Sequence, residues 1–177
     1  MRTAWLVGAV VVLAGRPGVA QDLGALPAAP PRYGDAGSHH VGVALGLGGG
    51  GNGFVWAAGA EYGHFLFDGL APTVEVDVSG GSEVLTVAST MAAVRWLPWR
   101  AGPLWPLLVP RAGRLFVENN PDLWGAGATV GALVALGGPM ALQISYDYLR
   151  LFPGTDCEAL SNGCSLERWG LGLVLGF

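Results

Sequence analysis

Residues 169–177 read WGLGLVLGF. Trp169, Leu171, Leu173, Leu175 and Phe177 alternate with Gly170, Gly172, Val174 and Gly176. A period of two marks a β-strand, here with one large apolar face and one face of small residues. A soluble sandwich could use such a strand, but seldom ends its chain on one with an aromatic on the greasy face. The pattern points to a sheet with an apolar outside and a cramped inside.

The same alternation recurs upstream. Val41, Val43, Leu45 and Leu47 alternate with Gly42, Ala44, Gly46 and Gly48 before a Gly-Gly-Gly-Asn-Gly turn. Phe54, Trp56, Ala58, Ala60 and Tyr62 alternate with Val55, Ala57, Gly59 and Glu61. Asp68-Gly69 is a hairpin signal. Val74, Val76 and Val78 alternate with Thr73, Glu75, Asp77 and Ser79, and Ser79 to Glu83 turns the chain. Further strands are expected at Val84 to Leu97, Leu104 to Glu118, Trp124 to Leu136, Met140 to Phe152 and Leu166 to Phe177. Pro98 to Pro103, Asn119 to Leu123, Gly137-Gly138-Pro139 and Pro153 to Cys164 separate them. Eight strands of about 10–14 residues suit a tilted, membrane-spanning barrel.

The amino end fits export. Arg2 precedes an apolar run from Ala4 to Gly15, and Gly18 and Ala20 stand third-last and last before a candidate cut ahead of Gln21. Residues 1–20 thus read as a secretory signal peptide, too short for a membrane span. No Cys follows the cut, which argues against a lipid-anchored lipoprotein. Residues 21–38, with Pro27, Pro30 and Pro31, read as a flexible periplasmic leader. Residues 39–177 form the barrel.

Composition narrows the class. Hydrophobic residues make up 51% of the 177 and charged residues 12%, yet after Gly15 no apolar run approaches a spanning helix. Such a chain is either a greasy soluble protein or a barrel with lipid outside. The 30 Gly need a reason, because strands disfavour Gly; small residues in a narrow lumen supply one. The mature chain keeps seven Arg against thirteen acidic residues. An acidic chain without a basic cluster argues against nucleic acid as a partner.

With an amino end in the periplasm, an even strand number returns the carboxyl end there. The turns at 49–53, 79–83, 118–123 and 153–165 then lie outside, and those at 68–69, 98–103 and 137–139 inside. The longest two fall outside, as in outer-membrane barrels. His64, Trp96, Trp124, Tyr146, Tyr148 and Trp169 sit near strand ends, like an interfacial girdle.

The runs EYGHFLFDGLAP (61–72), VRWLP (94–98), LWPLLVPRAG (104–113) and MALQISYDYLRL (140–151) resemble strands of the small OmpA/OmpX-like outer-membrane β-barrel family. The resemblance covers 39–177 and rests on barrel geometry; Pro110 and Arg111 stand where that family more often has small residues. It implies an all-β, eight-stranded antiparallel up-and-down transmembrane β-barrel in the cell outer membrane after Sec-type export. It also implies that Trp169, Leu171, Leu173, Leu175 and Phe177 belong to the signal read by the barrel-assembly machinery. The expected partners are the lipid bilayer and that machinery, with the chain a monomer.

Parity assigns the interior. With the valines of the third strand outward, Glu75 and Asp77 point into the lumen, and Glu61, Arg95, Gln143, Asp147 and Arg168 do so on their own strands. A charged side chain facing lipid at the midplane costs roughly 2–4 kcal/mol for Arg. Glu61, Glu75, Asp77, Arg95, Asp147 and Arg168 are therefore expected to form a luminal charge network. It can be a salt-bridged plug, which an eight-stranded lumen favours, or an ion path. Arg111 and Arg114 have opposite parity; one faces lipid unless Pro110 marks a bulge or one lies at the rim. Cys157 and Cys164, the two cysteines, share the last outer loop, where an oxidising compartment makes a disulfide the default.

No catalytic constellation emerges. His39, His40 and His64 lie near no recognisable Ser motif, and GGGGN (48–52) lacks the Lys and helix of a phosphate loop. No metal or cofactor site is assigned. The expected role is structural or surface-interacting, without enzymatic activity. A minor conduit for small apolar molecules is the alternative, and a lipid-modifying enzyme a third class.

Overall fold

The structure, a computed structural model, describes residues 32–50, 53–81, 86–100, 102–118, 121–152 and 164–177. The expected signal peptide, residues 21–31 of the expected leader, Cys157 and the centres of the long-loop turns lie outside the described residues.

Eight antiparallel strands run in chain order: β1 (His39–Gly50), β2 (Gly53–His64), β3 (Leu70–Gly81), β4 (Val87–Trp96), β5 (Leu104–Val117), β6 (Leu123–Gly137), β7 (Met140–Phe152) and β8 (Ser165–Gly176). Each pairs with its sequence neighbours, and β8 closes on β1 to form a barrel without free edges. Closure satisfies the backbone within the sheet, which an apolar outside requires. Pairing, not polarity, sets the strand ends. β3 runs beyond its alternating core at both ends, and Leu97 lies just past β4 with its side chain buried.

The short turns use glycine where the backbone demands it. Gly69 has φ +75° in the β2–β3 turn. Gly137 and Gly138 have φ +102° and +59°, and the β6–β7 register shifts by one residue between Ala135 and Gly137. An L side chain rarely adopts such angles.

Large side chains of β8 face outward, as do Val43, Leu45, Val74, Val76, Val130 and Ile144. Aromatics gather near the two outer margins: Phe54, Phe116, Trp124, Phe152 and Trp169 at the long-loop end, and Tyr62, Trp96, Trp99 and Phe177 at the short-turn end. The charged groups that face outward on strands, Arg114, Arg150 and Glu167, all lie within four residues of the long-loop end.

β5 resolves the parity conflict. Ala93 pairs with Arg111 and Trp96 with Leu108, the same register on both sides of Pro110. Pro110 thus costs a ladder hydrogen bond without making a bulge. Arg111 points inward, its side chain 7% exposed. Arg114 points outward at the rim and pairs with Asp122 at 2.7 Å.

Candidate functional site

The lumen is layered. Toward the short-turn end an apolar layer joins Tyr33, Phe65, Leu97, Leu107, Val109 and Leu133. Toward the long-loop end a second joins Met91, Leu115, Val117, Leu123, Leu149 and Leu151. The ionised side chains lie between. This differs from a lumen filled by charges alone, because β5 and β6 carry large apolar residues on both faces.

Inward parity brings the six expected charged residues together with Arg111. Arg168 on β8 donates from Nη1 to Asp77 (2.8 Å) and from Nε to Asp147 (2.7 Å). Arg111 reaches Asp147 at 3.6 Å and donates to Glu75 at 3.2 Å. A chain Asp77–Arg168–Asp147–Arg111–Glu75 therefore crosses the lumen. Ser89 also donates to Asp77, and Thr129 to Asp147 at 2.6 Å. Nearer the short-turn end, Arg95 is fully buried and donates to Glu61, to Gln143 (3.0 Å) and to the Tyr33 hydroxyl (3.0 Å). Among the described residues, three guanidiniums thus face four carboxylates. Buried ions are tolerated when paired and hydrogen-bonded in this way. His40, also fully buried, sits with Nε2 4.0 Å from Glu61 and packs against Tyr33 and Phe65.

The facing wall is small so that these chains fit. A Cβ on Gly42 would meet Glu61 Cγ at 2.7 Å, and one on Gly46 would meet Arg168 Cδ at 3.2 Å. Beside the network a cavity of about 60 Å³ remains, lined by Gly42, Gly46, Gly59, Glu61, Arg95 and Arg168 among others. That is room for on the order of four waters, far below the roughly 300 Å³ of the smallest ordinary ligand pockets.

Residues 32–38 differ from the flexible leader expected of them. Tyr33 is 3% exposed. Its ring stacks on Trp105 (centroids 6.0 Å, 7° between planes) and meets Phe65 edge-on at 5.3 Å. The segment is clamped from outside. Arg100 donates to Asp35 (2.8 Å) and to the Tyr33 carbonyl (3.2 Å). The Ala36 amide donates to Asp68 (2.8 Å), and the Gly37 amide to the Phe65 carbonyl (2.7 Å). The hydrogen bond from Arg100 holds the Asp35 carboxyl below its ordinary value of 3.8. The segment is a cork in the short-turn mouth. Sequence reading missed it because one aromatic among Pro and Gly carries no periodicity.

Among the remaining expected residues, Trp169, Leu171, Leu173, Leu175 and Phe177 all face outward. Cys164 is disulfide-bonded, and Cys157, the chain's other cysteine, lies outside the described residues.

No protein-family model matches this sequence, and no curated protein matches it. Solved structures do. The crystal structure of Neisserial surface protein A aligns with a TM-score of 0.57 at 15% identity, covering 79% of this chain and 96% of that one. The N-terminal β-barrel domain of Pseudomonas aeruginosa OprF aligns with a TM-score of 0.57 at 14% identity, covering 80% and 98%. A major outer membrane protein from Thermus thermophilus aligns with a TM-score of 0.51 at 14% identity, covering 78% and 99%. What the chain shares with them is the fold, and that fold is the one its OmpA/OmpX-like motifs imply.

Proposed function

We propose that this chain is an integral outer-membrane β-barrel with a sealed lumen and a structural or surface-interacting role. One observation carries the reading: two apolar layers and a cork bracket the luminal charge network. Every luminal guanidinium among the described residues is committed to a carboxylate, and the cavity of about 60 Å³ beside the network suits water rather than a solute. The apolar exterior between two aromatic margins supports insertion in a bilayer. The Thermus thermophilus major outer membrane protein that shares the fold supports the outer membrane as that bilayer. We read the chain as a monomer and as a non-enzyme, exported with its first 20 residues removed.

Cell fractionation with uptake assays tests this. The protein should sediment with outer membranes, resist carbonate extraction and leave uptake of small apolar molecules unchanged when its gene is deleted. Recovery in the soluble fraction refutes the location. Uptake that falls on deletion and returns on complementation replaces the sealed barrel with a conduit.

A further inference from the structure

We propose that His39 and His64 form a two-histidine binding site for a divalent transition-metal ion at the short-turn rim, on the outside of the barrel. His39 opens β1, His64 closes β2, and the two stand directly opposite. The His39 amide donates to the Phe177 carbonyl (2.7 Å) and its carbonyl accepts from the Phe177 amide (3.0 Å). Both backbone groups are thus spent on the β8 side. The pair with His64 is then the non-hydrogen-bonded kind, in which side chains approach most closely. The ring centroids are 4.3 Å apart with planes 32° from parallel.

His39 also stacks on Tyr62 (5.9 Å, 23° between planes) and Phe177 (5.8 Å, 16°), which holds its ring in place beside His64. His39 Nδ1 lies 2.9 Å from the Tyr62 hydroxyl. With its proton on Nδ1, His39 donates to the Tyr62 oxygen and presents Nε2 as a lone pair, the orientation metal-bound imidazoles ordinarily take. His64 Nδ1 is buried without a hydrogen-bond partner, so that ring is held by packing rather than spent on a neighbour. Two imidazoles suit Ni²⁺, Cu²⁺ or Zn²⁺ rather than the hard ions Mg²⁺ and Ca²⁺, which take oxygen ligands. Water completes the coordination shell, so the site is open and exchangeable. The ion would tie the first residue of β1 to the last of β2. Next to that tie, the Phe65 amide bonds the Ser38 carbonyl at 2.8 Å and anchors the cork.

Sequence reading assigned the histidines no metal site, since they lie on elements other than the cysteine loop and far apart in the chain. The register joins them.

The test uses tag-free, full-length mature protein folded in detergent micelles. Electron paramagnetic resonance with one equivalent of Cu²⁺ should show coupling to two imidazole nitrogens in the wild type. Calorimetric titration with Ni²⁺ or Zn²⁺ should give one site per chain at neutral pH. His39→Gln or His64→Gln should abolish it, while Tyr62→Phe, which keeps both ligands, should weaken it about tenfold. A wild-type spectrum with fewer than two imidazole nitrogens overturns the proposal. So does binding that survives in both histidine variants.

Discussion

Replacing Arg95 by Met removes the most buried guanidinium among the described residues while keeping most of its volume. Arg95 is fully buried, and its partner Glu61 is 13% exposed. Apart from Arg95, the one cation-capable group that pairs with Glu61 among the described residues is His40, at 4.0 Å. Removing one partner of a buried pair costs about 3–5 kcal/mol, because the other charge is left uncompensated. The hydrogen bonds to Tyr33 and Gln143 add about 1 kcal/mol. Met fills the space well enough that a cavity adds little. The total, about 4–6 kcal/mol, compares with the 5–15 kcal/mol that an ordinary domain has to lose. With a urea slope of about 2 kcal/mol/M, the midpoint should fall by about 2–3 M. Equilibrium unfolding from lipid vesicles, followed by tryptophan emission and heat-modifiable gel mobility, measures this. Adding Glu61→Gln to Arg95→Met removes the orphaned charge and should return about 2–4 kcal/mol. A loss under about 1 kcal/mol for Arg95→Met, the scale of an exposed ion pair, would show a wet lumen and refute the reasoning. A double variant no better than the single would refute it equally.

Arg111 and Arg114 should behave oppositely: Arg111→Gln strands Glu75 and should cost about 3–5 kcal/mol, whereas Arg114→Gln, at a half-exposed rim pair, should cost under about 1 kcal/mol, both read by the same urea titration. Gly127→Ala should destabilise by about 1–3 kcal/mol, because its new Cβ would come within 2.8 Å of Leu149 Cα; an unchanged midpoint would contradict the close approach of β6 and β7. Acid should loosen the cork before the barrel. The Asp35 carboxyl is depressed when folded, so its contribution is whole above the ordinary 3.8 and is lost as pH falls through the lower folded value. Hydrogen exchange, corrected for intrinsic rates, should show the Gly37 and Gly69 amides losing protection below about pH 4 while strand amides keep theirs. Asp35→Asn should flatten that pH dependence.

The strands were legible because β1, β2, β3 and β8 alternate strictly, and parity alone then placed Glu61, Glu75 and Asp77 on one face. β5 was not legible in the same way. In LWPLLVPRAGRLFV both faces are apolar, so its two arginines offered no parity to choose between. The choice came from the register, which carries Pro110 through without a shift and leaves Arg114 beside Asp122. A weaker signal was available, since Arg114 lies three residues from the strand end, where an outward charge is cheap. The apolar layers hid for the same reason, because Leu107, Leu115 and Leu133 stand on strands that are apolar on both faces, and only pairing shows that they point inward. Tyr33 and the His39–His64 pair depend on contacts distant in sequence, which local patterning does not encode.

The sealed lumen is the central claim, and single-channel recording of purified wild-type protein in a planar bilayer tests it most directly. Two apolar layers around three committed guanidiniums predict a baseline without discrete steps, unchanged when Tyr33 is replaced by Ala, because Leu97, Leu107 and Leu133 still close the short-turn end. Stable, ion-selective steps from the wild type would contradict it.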